Sequence, residues 1–345
     1  MTERSERGGS HRDDRGGHGD RGYRGGSGGG DRGYRGGRGY RDGDRGYRGG
    51  RGGGERGYRG GDRDRPRRVY DDEPRDGLLA DLVGHLHALD GRSYAAYKAI
   101  VGRYRAPAGW FLHIDRVQSD PYAPPTRIHV DVPTDLHGLE LLDEADLLAD
   151  VDRRLAVGDF LTRELHAGFR GTALSIASPG QEILERSSII VRPDETGEKP
   201  GWVLEVRARL ALPAQGRSIQ GHEASRIVGR DLVRELEEAM DLTGERGDRL
   251  VHHVATLEDH RALTAAVARN GWVSFLADGA VLPRRSGVSD EPLDGGVPLQ
   301  APDSMAAMVD LPHAGRVRGT VVEAGVSVIV GGGYHGKSTL LSAIE

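Results

Sequence analysis

Val326-Ser-Val-Ile-Val330 runs into Gly331-Gly-Gly-Tyr-His-Gly-Lys-Ser-Thr339, and then into Leu340-Leu-Ser-Ala-Ile-Glu345. The first five residues read as a buried strand, because a strand covered on both faces is a near-continuous apolar run. The last six start a helix. Between them, Gly331-x4-Gly336-Lys337-Ser338 has the spacing of a phosphate-binding loop in its required strand–loop–helix setting. The glycines let successive backbone N–H groups curl around a β-phosphate, and the helix N-terminus adds its dipole. Lys337 reaches the β- and γ-phosphates, and the Ser338 hydroxyl ligates Mg²⁺. The candidate nucleotide-binding residues are therefore Gly331, Gly332, Gly333, Gly336, Lys337, Ser338 and Thr339, with ATP and Mg²⁺ as ligands. Lysine is rare in this chain: Lys98, Lys199 and Lys337 stand against 45 Arg. A compact ammonium suits such a loop better than a guanidinium fork.

A P-loop NTPase also needs an acid on a second strand that normally follows the loop, and seven residues follow Ser338. The expectation is the N-terminal portion of a longer ATPase, or a truncated product. Such a chain holds no catalytic residue of its own and does not turn over ATP alone.

Working upstream, Asp76 reads as an N-cap for a helix carrying Leu78, Leu79, Leu82, Val83, Leu86 and Leu89 and stopping at Gly91. Tyr94, Tyr97, Ile100, Val101 and Tyr104 suggest a second short helix. Trp110–Val117 and Arg127–Val132 alternate like strands around a proline-rich turn. Residues 138–169 look helical in two pieces around Gly158. Ser187–Arg192 and Trp202–Leu210 read as a hairpin, Glu223–Met240 and Leu257–Arg269 as helices, and Trp272–Leu276 as a strand. This non-alternating mixture predicts an α+β domain over 71–310, followed at 311–345 by the start of an α/β P-loop nucleotide-binding domain.

Other candidate groups in this region carry little chemistry. His252, His253 and His260 include adjacent histidines that diverge on a helix, so packing or surface roles outweigh a metal site. His85 and His87 are no stronger. Asp143–Glu144 and Glu237–Glu238 sit in charged helical stretches and read as solvated faces. Arg284 and Arg285, in the loop 282–293, suit an anion or a partner surface as well as they suit an ordered loop.

Residues 1–70 are a different object. They hold 19 Arg, no Lys and 11 acids, hence +8, whereas the whole chain is −5 and the remainder −13. They also hold 25 of the 54 Gly and 6 of the 11 Tyr. Almost without aliphatic side chains, this tail cannot offset chain entropy by burial and is expected to be disordered. RGYR recurs from Arg21, Arg32, Arg38, Arg45 and Arg56. Arginines pair with phosphates and tyrosines offer stacking faces, which points to single-stranded nucleic acid, RNA or DNA, with RNA as the partner carried forward. The candidate contacts are Arg21, Tyr23, Arg24, Arg32, Tyr34, Arg35, Arg45, Tyr47, Arg48, Arg56, Tyr58 and Arg59. Asp31, Asp42, Asp44 and Glu55 dilute the field. A flexible solubilising extension is the competing reading.

The absence of cysteine excludes disulfides, thiolate zinc and a cysteine nucleophile. No apolar run reaches the ~18–20 residues of a membrane helix, and no secretory signal core is present. A cytoplasmic protein without membrane association is expected.

GGGYHGKSTLL resembles the phosphate loop of the predicted ATPases of the ABC class, a stand-alone soluble family with its own N-terminal domain. The resemblance extends upstream through GRSYAAYKAIVGRY, IDRVQSDPYAPPTRIHV, SPGQEILERSSIIV, LPAQGRSIQG and FLADGAVLPRRSGVSD, in the family's order, over residues 76–345. It implies an ATP-binding, Mg²⁺-dependent ATPase that forms a homodimer when complete, with RNA association as a possibility. The signature helix and second-strand acid have no counterpart here. The commoner loop has Gly where Tyr334 stands, and no Phe, Trp or Tyr lies between Phe275 and Tyr334 to stack on adenine. Two rival readings are a non-enzymatic RNA-binding protein with a vestigial loop and another P-loop enzyme, such as a nucleotide-dependent kinase.

Overall fold

The computed structural model describes residues 75–195 and 201–345. The tail and its candidate RNA contacts lie outside the described residues, as does Lys199. The described part is a mixed α+β fold with two larger sheets and a two-stranded ribbon.

The larger sheet has seven strands: β1 (Arg75–Leu78), β2 (Gly102–Arg105), β3 (Phe111–Arg116), β4 (Thr126–Pro133), β5 (Leu174–Ser175), β6 (Ile189–Pro193) and β7 (Trp202–Leu210). Its order is β1-β2-β3-β4-β7-β5, with β6 also on β7. β1 pairs parallel to β2, and the other pairs are antiparallel. Period-two alternation decides the faces. Leu112 and Ile114, Ile128, Val130 and Val132, and Val206, Ala208 and Leu210 enter one core. The intervening His113, Asp115, Arg127, His129, Asp131, Glu205 and Arg207 take the opposite face. A small β8–β9 ribbon (Ala214–Gln215 and Ser218–Ile219) follows.

Helices close the core. These are α1 (Leu79–Ala88), α2 (Leu141–Glu144), α3 (Val151–Gly168), α4 (Gly221–Arg226), α5 (Leu232–Met240) and α6 (Gly244–Arg269), with a π turn joining α4 to α5. Leu82 and Leu86, Leu161 and Leu165, and Leu236 and Leu250 are buried in the first core. Each such side chain is worth roughly 1.5–3 kcal/mol of transfer free energy. The second sheet, β10 (Trp272–Ala277), β11 (Ala306–Leu311) and β12 (Gly315–Glu323), runs antiparallel in the order β10-β12-β11. Helix α6 serves both cores: Leu250, Val254 and Leu257 enter the first, and Ala266 packs with Phe275, Val309 and Val321 in the second.

Several expectations need correction. Asp76 lies in β1, and Asp81 caps α1 instead by accepting from the Leu78 N–H at 3.0 Å. The second helix is a 3-10 turn over Tyr94–Ile100, and Tyr104 belongs to β2. Gly158 does not break α3. A Cβ there would lie 3.1 Å from the Ile189 carbonyl oxygen, so glycine serves the close approach of helix to β6. Helix α6 begins 13 residues before Leu257. Val326–Val330 forms no strand: β12 ends at Glu323, and Val326, Val328 and Val330 are exposed. A buried parallel strand needs hydrogen-bonding neighbours, and among the described strands none pairs with this run. No helix among the described residues is long and apolar enough to cross a membrane.

Candidate functional site

Helix α7 (Lys337–Ile344) opens directly on the glycine loop. Gly336 is its N-cap at φ 77°, and Gly331 sits at φ 153°, both in territory that glycine enters freely. Tyr334 also adopts a positive φ, 62°, and its side chain is fully exposed. A non-glycine residue in that conformation costs about 1–2 kcal/mol. A Cβ on Gly332 would come within 3.1 Å of the His335 ring, whose Nδ1 accepts from the Gly332 N–H at 3.2 Å. The loop is thus a tight turn folded around His335.

Lys337 curls back over this turn. Its ammonium donates to the Gly331 carbonyl at 3.0 Å and to the Gly332 carbonyl. Ser338 follows in the first helical turn with an exposed side chain. The first-turn N–H groups of a helix have no partners within it, and here they meet a flexible cation and a free hydroxyl. The donor set fits a nucleotide polyphosphate: ammonium and amides for the phosphate oxygens, and a hydroxyl for Mg²⁺. Gly331, Gly332, Gly333, Gly336, Lys337, Ser338 and Thr339 are therefore brought together in one turn and its following helix.

The remaining candidates take structural parts. His253 lies 3.1 Å from the Asp159 carboxylate and packs on Phe160, whereas His252 and His260 are exposed. Asp159 is fully enclosed and accepts from Arg163 at 2.7 Å and Arg186 at 2.6 Å. Burial alone would raise its pKa, but hydrogen bonds from His253, Arg163 and Arg186 overrule it and hold it at about 2. His85 meets Arg75, and burial, then Arg75 and Arg92, lower its pKa. The His87 ring sits between His222 and the Ser225 hydroxyl. Glu237 accepts from the Trp110 indole at 3.4 Å, and Asp143 and Glu144 are exposed on α2. Arg284 donates to Gln181 and so ties the loop to a distant segment, whereas Arg285 pairs with Glu291 and Asp294 and holds its own stretch together. Sequence reasoning passed over one cluster, His113, His129 and Asp131, on the outer face of the large sheet.

A glycine turn that opens a helix with Lys337 and Ser338 defines a P-loop, nucleotide-phosphate-binding class of protein. Residues 79–242 match the family model described as ATPase of the ABC class N-terminal, and residues 246–345 match the ABC ATPase P-loop domain. The chain belongs to the ABC-class ATPase family, whose domains are those of an ATP-binding P-loop ATPase. The second match starts at residue 246 and so takes in most of α6 and the β10–β12 sheet together with the loop. No curated protein sequence matches the chain.

Proposed function

We propose that this protein binds ATP with Mg²⁺ at Gly331–Thr339 and is the ATP-binding part of a cytoplasmic ABC-class ATPase. In this reading it acts as a homodimer when complete, and its Arg/Gly/Tyr tail holds single-stranded RNA. The observation that carries the nucleotide part is the placement of Lys337 and Ser338 in the first turn of α7, beside the glycines at positive φ. The backbone amides and Lys337 bind and orient the β-phosphate, and Ser338 positions the metal ligand sphere. When bound, Mg²⁺ neutralises charge on the β- and γ-oxygens. The RNA part rests on the composition of residues 1–70, with its five RGYR copies.

Calorimetric titration with ATP, ADP and AMP in Mg²⁺ tests the site. A cradle built for the β-phosphate binds ATP and ADP and loses AMP by at least tenfold. Equal affinity for all three nucleotides, or for none, removes the assignment.

A further inference from the structure

His113 on β3 and His129 on β4 stand directly opposite each other. Their rings stack with centroids 4.1 Å apart and planes 11° from parallel. Both strands carry the same kind of run, Leu112-His-Ile-Asp115 and Ile128-His-Val-Asp131. Antiparallel pairing therefore sets each histidine beside the other strand's aspartate. The two pairs are not equivalent. His129 Nδ1 is 2.8 Å from Asp115 Oδ2 in a hydrogen bond. His113 Nε2 is 3.4 Å from Asp131 Oδ2, but the contact is not a hydrogen bond, and that nitrogen is shut off from solvent without a partner. An unpartnered buried donor or acceptor costs roughly 1–3 kcal/mol.

We propose that His113, His129 and Asp131 form a two-histidine, one-carboxylate site for a divalent transition-metal ion of the zinc class. One potential donor atom from each residue lies within 4.8 Å of the other two. Metal–ligand bonds of about 2.0–2.2 Å in a tetrahedron put donors about 3.3 Å apart. The His113–Asp131 separation, 3.4 Å, is already close to that value, and binding requires the His129 ring to turn out of its stack with His113 so that both rings aim a nitrogen at one point. The surroundings are those of a ligand set held from behind. Asp115 takes His129 Nδ1, which leaves Nε2 to coordinate, and Arg192 donates to Asp131 Oδ1 at 2.9 Å, which leaves Oδ2. Arg192 and Arg207 share Glu205, so these neighbouring cations are balanced. Arg103, across from His113 on β2, lies over the Phe111 ring. Asp115 and His129 also border a cavity of about 820 Å³, so the His129 side of the cluster opens toward solvent. Two cross-strand His–Asp ion pairs without a metal are the competing account.

Titration of chelator-treated full chain with Co²⁺, followed by visible absorption, separates the two. The expected result is a saturable set of d–d bands that Zn²⁺ displaces. His113→Ala and His129→Ala, checked by metal-free thermal unfolding, should remove the bands and weaken binding at least tenfold. If either alanine variant fails to fold, His113→Gln or His129→Gln replaces it. Asp115→Asn should weaken binding while the bands persist, because Asp115 only orients His129. Wild-type protein that gives no bands overturns the site. So do folded His113 and His129 variants that bind as wild type does, since the metal is then held by histidines elsewhere.

Discussion

The Lys337 ammonium sits 3.0 Å from the carbonyl oxygen of Gly331, the first glycine of the loop that Lys337 closes. In this position it satisfies backbone dipoles at the mouth of the turn. A triphosphate offers it full negative charge instead, and a hydrogen bond to a charged partner is worth about 1.5–3 kcal/mol. Lys337→Ala should therefore weaken ATP binding at least tenfold, about 1.4 kcal/mol. The mutated side chain packs at the protein surface, so the unfolding midpoint should barely move. Calorimetric titration together with denaturant unfolding checks both halves. An unchanged Kd would remove Lys337 from the phosphate contacts.

Tyr334 occupies the left-handed region at φ 62° with its ring in solvent. Glycine enters that region without the roughly 1–2 kcal/mol penalty, and a ring that touches nothing contributes no packing. Tyr334→Gly should leave ATP affinity within about threefold of wild type, whereas Tyr334→Val should weaken it, because a β-branched residue resists this conformation more strongly. Parallel titrations of the two variants decide it. A large loss in the glycine variant would mean that the tyrosine ring itself contacts nucleotide.

Asp159 ties α3 to the segment that carries Arg186. Arg163 and Arg186 both reach the Asp159 carboxylate, and both also donate to the Glu182 carbonyl. Removing one partner of a buried ion pair costs about 3–5 kcal/mol, so Asp159→Ala should destabilise by about 3 kcal/mol in urea unfolding. The pH arm follows from linkage. The folded pKa, about 2, lies below the ordinary value of 3.8. The stabilisation is therefore complete above about pH 4 and is lost as pH falls toward 2. Asp159→Asn should lack that part of the acid slope. A variant with the wild-type slope would show that other carboxylates carry it.

The glycine loop was legible because its signal is local: spacing alone puts Gly331, Gly336, Lys337 and Ser338 in one turn. Strands β3, β4 and β7 were legible from alternation, which burial against a single core enforces along Ile128, Val130 and Val132. Val326–Val330 misled because apolar composition reports an appetite for burial, whereas a strand also needs partners. The start of α6 was missed since Gly244 and Gly247 are poor helix formers, and its inward face there is carried by Leu250, Val254 and Leu257. The His113–His129–Asp131 cluster depends on register. Two similar short runs sit 16 residues apart, and only the pairing of β3 with β4 sets histidine against histidine.

The tail supplies the last prediction. Residues 1–70 carry 19 arginines and 11 acids, and five tyrosines stand inside RGYR copies. Arginine contacts to phosphates release counterions, so RNA affinity should fall steeply with salt, while the acids limit its strength. Stacking of tyrosine on bases adds roughly 1–3 kcal/mol per base without releasing ions. Deleting 1–70 should therefore lower the affinity for a single-stranded RNA and flatten its dependence on salt, with ATP binding intact because the phosphate loop lies far along the chain. Replacing Tyr23, Tyr34, Tyr40, Tyr47 and Tyr58 with Ala should lower affinity while the salt slope stays close to that of the wild type. Fluorescence anisotropy with a labelled oligonucleotide at several salt concentrations measures both quantities. Unchanged RNA binding after the deletion would move the RNA site to the folded part and leave the tail as a solubilising extension.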